Sequence, residues 1–292
     1  MQRFQVAATG HSLNYLPEYI ANRHGFFHEQ GLEVTVSVPW PWDCVLNELA
    51  EGMADAALGG IWVPSMYRDR VKSYTVFAQV ANRSPRALIQ RGTSEGFKLA
   101  DMVGSTLLMK SGGGASVGLF FKMLLRENGI DPQSVDYVQD LDGVMLGNLF
   151  QGGMGDYFIT DNLSARAMVE RNRDVSIAME MVSEGGDIPW SVYYQETATI
   201  NAEGIDWVLQ HDAESFRDEL AELFPTVPVD VVVDLTNTYR HSFMWTTPSV
   251  SRKGFERWQR GIADGRLIKE PFAYKAIVND ASATAAQTTE GA

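Results

Sequence analysis

The chain has 292 residues, of which 45% are hydrophobic and 21% charged, and its net charge is −13. This composition is typical of a globular protein with one large domain or two lobes, and the acidic balance gives no sign of a nucleic-acid interface. Cys44 is the single cysteine, which excludes an intrachain disulfide and a zinc cluster built on thiolates. No apolar run reaches the length that spans a bilayer, so we expect no membrane insertion.

The first fifty residues follow the pattern of a strand, a helix and a second strand. Residues 4–9 and 33–38 are the predicted strands, and apolar residues with helical spacing lie between them. A right-handed βαβ unit of this kind places its ligand crevice at the carboxyl ends of the strands. The loops at those ends, residues 10–15 and 39–43, contain His, Ser, Asn, Tyr, Trp and Asp, which favours ligand binding over packing.

Alternation of strands and helices continues along the chain, with a predicted crossover between two lobes at residues 82–85. We assign residues 1–84 and 191–280 to lobe 1, residues 85–190 to lobe 2, and residues 281–292 to a disordered tail. The predicted strands are 54–59, 74–81, 86–91, 105–109, 136–138, 157–160, 175–181 and 191–195. The predicted helices are 45–53, 63–70, 117–127, 144–150, 213–224, 230–240 and 254–264.

Several segments of the chain match a known family in sequence. They include residues 15–21 (YLPEYIA), 25–34 (GFFHEQGLEV) and 245–248 (WTTP). The chain resembles the NMT1/THI5-like family, which is thiamine-pyrimidine-synthase-like and alkanesulfonate-binding-like, within the periplasmic-binding-protein superfamily. This resemblance implies an α/β, two-lobed fold of the periplasmic-binding-protein type II, with a ligand cleft between the lobes that closes by a hinge. The cysteine-rich run of the yeast-type pyrimidine synthases is absent, which argues against that activity.

A glycine-rich loop in the second lobe is the strongest single candidate for a binding site. Three consecutive glycines allow backbone N–H groups to converge, and the start of the following helix adds partial positive charge that favours an anion or a carbonyl. The alternative is a tight turn between strand and helix, in which the glycines only allow the backbone to turn and bind no ligand. The loop consists of Ser111, Gly112, Gly113, Gly114, Ala115 and Ser116.

Aromatic residues near the predicted strand ends form a second group of candidates. Their flat side chains suit stacking on a planar ligand, although aromatic packing under long loops is the alternative, above all for Trp190. The group consists of Tyr15, Trp40, Trp42, Trp62 and Trp190.

The remaining candidates are small or polar residues that either bind the ligand or serve as caps and turn residues. They are Gly10, His11, Asn14, Gly60, Asp142 and Asp161. Arg83 and Arg86 flank the crossover, where they either reach an anionic ligand or lie on the surface. We predict no metal site and no cofactor.

Two classes of function follow from these sites. The first is a solute-binding protein of the ABC-transporter type, which closes on a planar, partly anionic or carbonyl-bearing organic ligand and, if exported, partners a membrane permease. The second is a cytoplasmic enzyme on the same fold, because related folds include decarboxylases, a desulfinase and pyrimidine synthases. His11, Asp43 and Cys44 are the catalytic candidates, and the thiol would need a base to become a nucleophile. A sensor or scavenging protein without turnover is a third possibility.

The start of the chain bears on its location. Residues 1–6 enter the first strand directly, without the features of a signal peptide. We therefore expect a cytoplasmic protein as the sequence stands, or a periplasmic or extracellular one if an export signal was removed.

Overall fold

The structure is a computed structural model that describes residues 1–110, 115–139, 141, 143–195 and 204–279. Within it the chain divides into two compact units, each made of discontinuous segments. The first unit comprises Met1–Arg83, Asp187–Ser215 and the chain from Tyr239 onwards. The second comprises Ser84–Gly186 and Phe216–Thr238.

Both units are built from strands and helices that alternate along the chain, numbered here in chain order. The strands are β1 (Gln2–Ala8), β2 (Leu32–Ser37), β3 (Ala56–Gly60), β4 (Thr75–Ala81), β5 (Arg86–Arg91), β6 (Thr106–Met109), β7 (Asp136–Val138), β8 (Tyr157–Asp161), β9 (Val175–Glu180) and β10 (Ser191–Gln195). The helices are α1 (Leu16–Arg23), α2 (Phe26–Glu29), α3 (Val45–Ala50), α4 (Trp62–Tyr67), α5 (Ala115–Glu127), α6 (Gly143–Gln151), α7 (Asn162–Arg171), α8 (Met181–Glu184), α9 (Gly204–Gln210), α10 (Arg217–Leu223), α11 (Val229–His241), α12 (Arg252–Asp264) and α13 (Tyr274–Ile277).

The first unit contains a five-stranded sheet in the order β2-β1-β3-β10-β4. β1 pairs in parallel with β2 and β3, whereas β10 runs antiparallel to β3 and β4. In β1, alternate residues enter one face of the sheet, because successive side chains of a strand point to opposite faces. On that face Phe4, Val6, Leu58, Phe77 and Tyr193 form part of the buried core.

The second unit contains a sheet with the same arrangement, in the order β7-β6-β8-β5-β9. β6 pairs in parallel with β7 and β8, and β5 runs antiparallel to β8 and β9. Its core includes Ala87, Ile89, Leu108, Phe150 and Phe158. The two mixed sheets with flanking helices confirm the predicted α/β class.

The predicted strands agree with the observed ones to within about two residues at each end, whereas helices α2, α7, α8 and α13 were not predicted. Helices α2 and α8 have only four residues each. Five of the ten residues of helix α7 are polar, so the apolar pattern that reveals other helices is weaker there. Helix α13 has four residues, too few for a periodic signal. The tail predicted at residues 281–292 lies outside the described residues.

The second unit also takes in residues 216–238, which the boundaries predicted from the sequence place in lobe 1. Arg166 on α7 gives a physical reason for this assignment. Its guanidinium forms a two-point ion pair with Glu180, at 2.7 Å from Nε and 2.9 Å from Nη2, and also pairs with Asp234 and Thr238 of α11. A half-buried arginine thus ties α11 to α7 and β9.

The described residues contain neither a membrane-spanning helix nor a group of metal ligands. No helix in the described part of the chain combines the length and the apolar character needed to cross a membrane. Nor do three or more His, Cys, Asp or Glu side chains gather there in a group that could hold a metal ion.

Candidate functional site

The candidate site in the first unit lies at the carboxyl edge of its sheet. Strands β2 and β3, which follow β1 in the chain, lie on opposite sides of β1 in the sheet. The strand order therefore reverses at β1. In α/β sheets, ligands bind outside the carboxyl ends of the strands at such a switch point. The loops after β1, β2 and β3, together with the start of β10, meet at this edge because Ser191 pairs with Gly60.

The loop after β1 is held by hydrogen bonds to its own helix. The hydroxyls of Thr9 and Tyr15 are 2.8 Å apart, and the Ser12 N–H donates to the Tyr19 hydroxyl at 2.9 Å. His11 between them is exposed, and its ring stacks on Tyr19 with centroids 4.8 Å apart. The loop therefore presents an imidazole to solvent from a fixed backbone.

Asn14, predicted as a hydrogen-bonding residue for the ligand, is an internal anchor in this structure. Its side chain is 3% exposed, and its Nδ2 donates to Ser191 Oγ at 2.8 Å. Its Oδ1 accepts from the Ser12 hydroxyl, and its backbone oxygen accepts from Trp245 Nε1 at 3.1 Å. These bonds join the loop after β1 to β10 and to the segment before α12.

The loop after β2 presents the most exposed aromatic side chain of the candidate set. Trp40 is 85% exposed and precedes a cis peptide bond to Pro41. Trp42 is half-buried at the start of a short 3-10 helix, Trp42–Cys44. In that helix Asp43 is exposed and Cys44 is a half-buried free thiol. His11, Asp43 and Cys44 thus follow neighbouring strands at one edge of the sheet, and a catalytic role for them stays a prediction.

In the loop after β3, the side chain of Trp62 is buried in the protein. The Trp62 ring lies so close to Gly60 that a Cβ atom at that glycine would fall 2.0 Å from it. Trp62 also makes edge contacts with Trp190 at 5.7 Å and Trp258 at 6.1 Å between centroids, and all three rings are buried. The faces of Trp62 and Trp190 are therefore engaged by protein, and the stacking role predicted for them stays a prediction.

Glu18 belongs to this region and was not among the predicted site residues. It lies in the first turn of α1 with 2% exposure, and neither carboxylate oxygen has a hydrogen-bond partner. Burial raises the pKa of Glu18 to about 8, because the charged form loses its hydration. An acidic residue within the apolar stripe of Leu16, Ile20 and Ala21 is the signal that could have identified it.

The structure describes the predicted sites of the second unit only in part. Residues 111–114 and Asp142 lie outside the described residues, and Ala115 and Ser116 form the first turn of α5. Asp161, at the end of β8, serves as the N-cap of α7, since its Oδ1 accepts from the Ser164 N–H at 2.9 Å. Ligand binding by this loop and by Asp161 stays a prediction.

Comparison with known proteins identifies a family and a protein to which this chain is similar. A family model described as NMT1/THI5 like matches residues 12–153. "Putative binding protein YtlA" of Bacillus subtilis (strain 168) is 25% identical over 299 residues, covering 96% of this chain and 88% of that protein.

Several solved structures share the fold at low sequence identity. The periplasmic aliphatic sulphonate binding protein SsuA of Escherichia coli has a TM-score of 0.70 at 16% identity, covering 96% of this chain and 92% of that one. The nitrate-binding protein NrtA of Synechocystis PCC 6803 has a TM-score of 0.61 at 13% identity, covering 99% and 89%. These likenesses confirm the predicted two-lobed fold of periplasmic binding proteins. Residues 12–153 thus match the NMT1/THI5-like family, and the resemblance predicted from the sequence is confirmed.

Proposed function

We propose that this chain is a solute-binding protein of the ABC-transporter type, which binds a small planar organic molecule at the carboxyl edge of the first sheet. The observation that carries the proposal is Trp40, a large aromatic side chain exposed on a loop at the switch point of the sheet. Leaving an indole in water is unfavourable, and aromatic residues beside polar groups are typical of ligand sites.

The neighbouring loop supplies the polar part of the proposed site. His11 is exposed and held against Tyr19, and hydrogen bonds within the unit fix the backbone around it. A fixed loop loses little conformational freedom when a ligand binds, which favours affinity. Trp40 would stack on the ligand, Trp42 would support it, and His11 would donate or accept a hydrogen bond at the ligand's edge.

The relatives support the binding role. YtlA carries the name of a binding protein, and the SsuA and NrtA structures are named as sulphonate-binding and nitrate-binding proteins. In the proposed role the partner is a membrane permease with its ATPase, and the protein would work outside the cytoplasmic membrane.

The test is to identify what the protein binds. Native mass spectrometry of the purified chain, followed by denaturing extraction, should reveal one intact small molecule, which then binds again to the stripped protein. Recovery of a compound that the protein has chemically converted would contradict a purely binding role. Absence of any bound small molecule, combined with no thermal shift across a library of neutral, cationic and anionic compounds, would refute the proposal.

A pair of variants tests the location of the site. We expect Trp40→Ala to weaken binding by roughly tenfold, because one aromatic stacking contact contributes about 0.5–1.5 kcal/mol beyond the area it buries. Val71→Ala is the matched control, since Val71 is 76% exposed and precedes β4 at the opposite edge of the sheet. Equal affinities for both variants and the wild type would place the site elsewhere.

A further inference from the structure

The second unit contains a cavity at the edge of its sheet opposite to the carboxyl ends of the parallel strands. Its volume is about 410 Å³, a size typical of small-molecule sites. It lies where β6 and β8 begin and the antiparallel strand β5 ends, and we call it the amino-edge cavity. Its lining includes Arg91, Asp101, Val103, Asp156 and Tyr157. The fold places its ligand crevice at the other edge, so this cavity needs an explanation of its own.

Tyr157 brings a polar group without a protein partner to the amino-edge cavity. The residue is only 9% exposed, and its ring lies 5.9 Å from that of Phe97 between centroids. Its hydroxyl forms no hydrogen bond with any residue that the structure describes. Unlike the hydroxyl of Tyr137, which is sealed from solvent, that of Tyr157 opens into the cavity. It is therefore available to a ligand as a donor or an acceptor.

Two carboxylates lie close to this hydroxyl. Burial raises the pKa of Tyr157, and the negative charges of Asp101 and Asp156 raise it further, so both carboxylates are within electrostatic reach of the phenol. Asp101 Oδ2 accepts from the Lys98 N–H at 2.9 Å, and Asp156 Oδ2 accepts from the Thr106 N–H at 2.8 Å. In the described part of the chain, the Oδ1 atoms of both aspartates have no partner. The backbone thus fixes each carboxylate and leaves one oxygen of each open to a cation.

Arg91 also lines the amino-edge cavity, but its guanidinium is engaged by the backbone. Its Nε donates to the Gly155 oxygen at 2.8 Å, and its Nη2 donates to the oxygens of Phe150 and Met154. The guanidinium carbon lies 4.4 Å from the centroid of the Phe150 ring. Among the described residues, Arg91 forms no ion pair with either aspartate. With one positive and two negative side chains in the lining, a ligand with a single positive charge would neutralise the cavity.

The apolar part of the lining favours an organic cation over a metal ion. Val103 is 58% exposed and lines the cavity beside the largely buried ring of Tyr157. Within the described residues, no three His, Cys, Asp or Glu side chains form a group that could hold a metal ion. An ammonium group has three N–H donors, which matches two carboxylate oxygens and one phenol oxygen.

We propose that the amino-edge cavity binds a small organic amine, a primary ammonium group on a short apolar or aromatic chain. The ammonium would donate to the open oxygens of Asp101 and Asp156 and to the Tyr157 hydroxyl, and the chain would lie against Val103. This is a second site, within the second unit alone, and it does not depend on the binding function proposed above.

The first test compares an amine with its neutral counterpart by isothermal titration calorimetry at constant ionic strength. The probes are phenethylamine and 2-phenylethanol, which differ in the charged group. We expect the wild type to bind the amine roughly tenfold more tightly than the alcohol, and Asp156→Asn to abolish that preference. Asp136→Asn is the matched control and should keep the preference, because it removes the same charge from an exposed position at the same edge of the sheet, outside the lining.

A second variant separates amine binding from a structural role. Tyr157→Phe removes a hydroxyl that has no protein partner and keeps the packed ring, so the melting temperature should not change. Its affinity for phenethylamine should fall by about threefold or more, through the loss of one hydrogen bond to a charged group. A lower melting temperature with unchanged affinity would show that the hydroxyl is structural and would contradict the inference.

The remaining outcomes distinguish this site from the one in the first unit. If the amine binds no better than the alcohol, or if Asp156→Asn keeps the preference, the inference is wrong. Loss of amine binding in Trp40→Ala but not in Asp156→Asn would place the amine at the first unit's site, which would support the proposed function and overturn this inference. Conversely, Asp156→Asn should leave unchanged the affinity for any compound recovered by native mass spectrometry that Trp40→Ala weakens.

Discussion

Replacing Glu18 by glutamine should abolish a pH dependence of stability that the wild-type protein owes to one buried carboxyl group. Glu18 is 2% exposed and its oxygens have no hydrogen-bond partner, so its charged form is unfavourable in the folded protein. Its pKa is about 8 when folded, against an ordinary value of 4.5. Glutamine has nearly the same shape and remains neutral at every pH.

The sign of the effect follows from the proton balance. Between pH 4.5 and about 8 the folded protein holds a proton on Glu18 that the unfolded chain releases. The contribution to stability is therefore complete below pH 4.5 and is lost as the pH rises through 8. The full loss corresponds to about 5 kcal/mol, and the part that falls between pH 6 and pH 9 is about 2–3 kcal/mol.

The assay is thermal unfolding of wild type and variant from pH 6 to pH 9, followed by circular dichroism. Since 1 kcal/mol shifts the melting temperature of a domain of this size by about 2–4 °C, the melting temperature of the wild type should fall by about 4–12 °C relative to that of Glu18→Gln. Glu29→Gln, at an exposed position on α2, should behave like the wild type. Parallel pH profiles for Glu18→Gln and the wild type would refute the reasoning that Glu18 is buried and unpaired.

Two further substitutions test the packing around Trp62 and the attachment of α11 to the second unit. Gly60→Ala should lower the free energy of unfolding by at least about 3 kcal/mol, because the new methyl group would overlap the Trp62 ring. Denaturant unfolding measures this loss. Gly10→Ala is the control and should leave stability unchanged, since a Cβ atom there would meet no atom within 4 Å. Arg166→Ala should cost about 2–4 kcal/mol by leaving Glu180 unpaired, and limited proteolysis should then cut within α11. Uncleaved α11 in that variant would show that other contacts hold the helix.

The secondary structure could be predicted where apolar periodicity is strong. Strand β3 is a fully buried run of small apolar residues, and strands β1 and β5 have buried apolar residues next to polar ones. Such patterns can be recognised without tertiary information. Helix α7 was missed because half of its ten residues are polar, although Asp161 followed by Ser164 is a capping signal in the sequence.

The site was less predictable because it depends on contacts between distant segments. Trp62 and Trp190 follow or precede strand ends as a pocket residue would, yet their rings meet Trp258, which lies far along the chain. Asn14 likewise is held by Ser191, 177 positions away. Local sequence indicates which residues lie at the edge of the sheet, but the direction of each side chain is decided by tertiary packing.

The position of β10 constrains how the protein is made. β10 lies between β3 and β4, so the first sheet stays divided until the ribosome has synthesised Ser191–Gln195, more than a hundred residues after β3. At about 5–20 residues per second this interval is roughly 7–27 s. The unpaired edges of β3 and β4 are exposed during that time, and this nascent chain is the species most in need of chaperone protection.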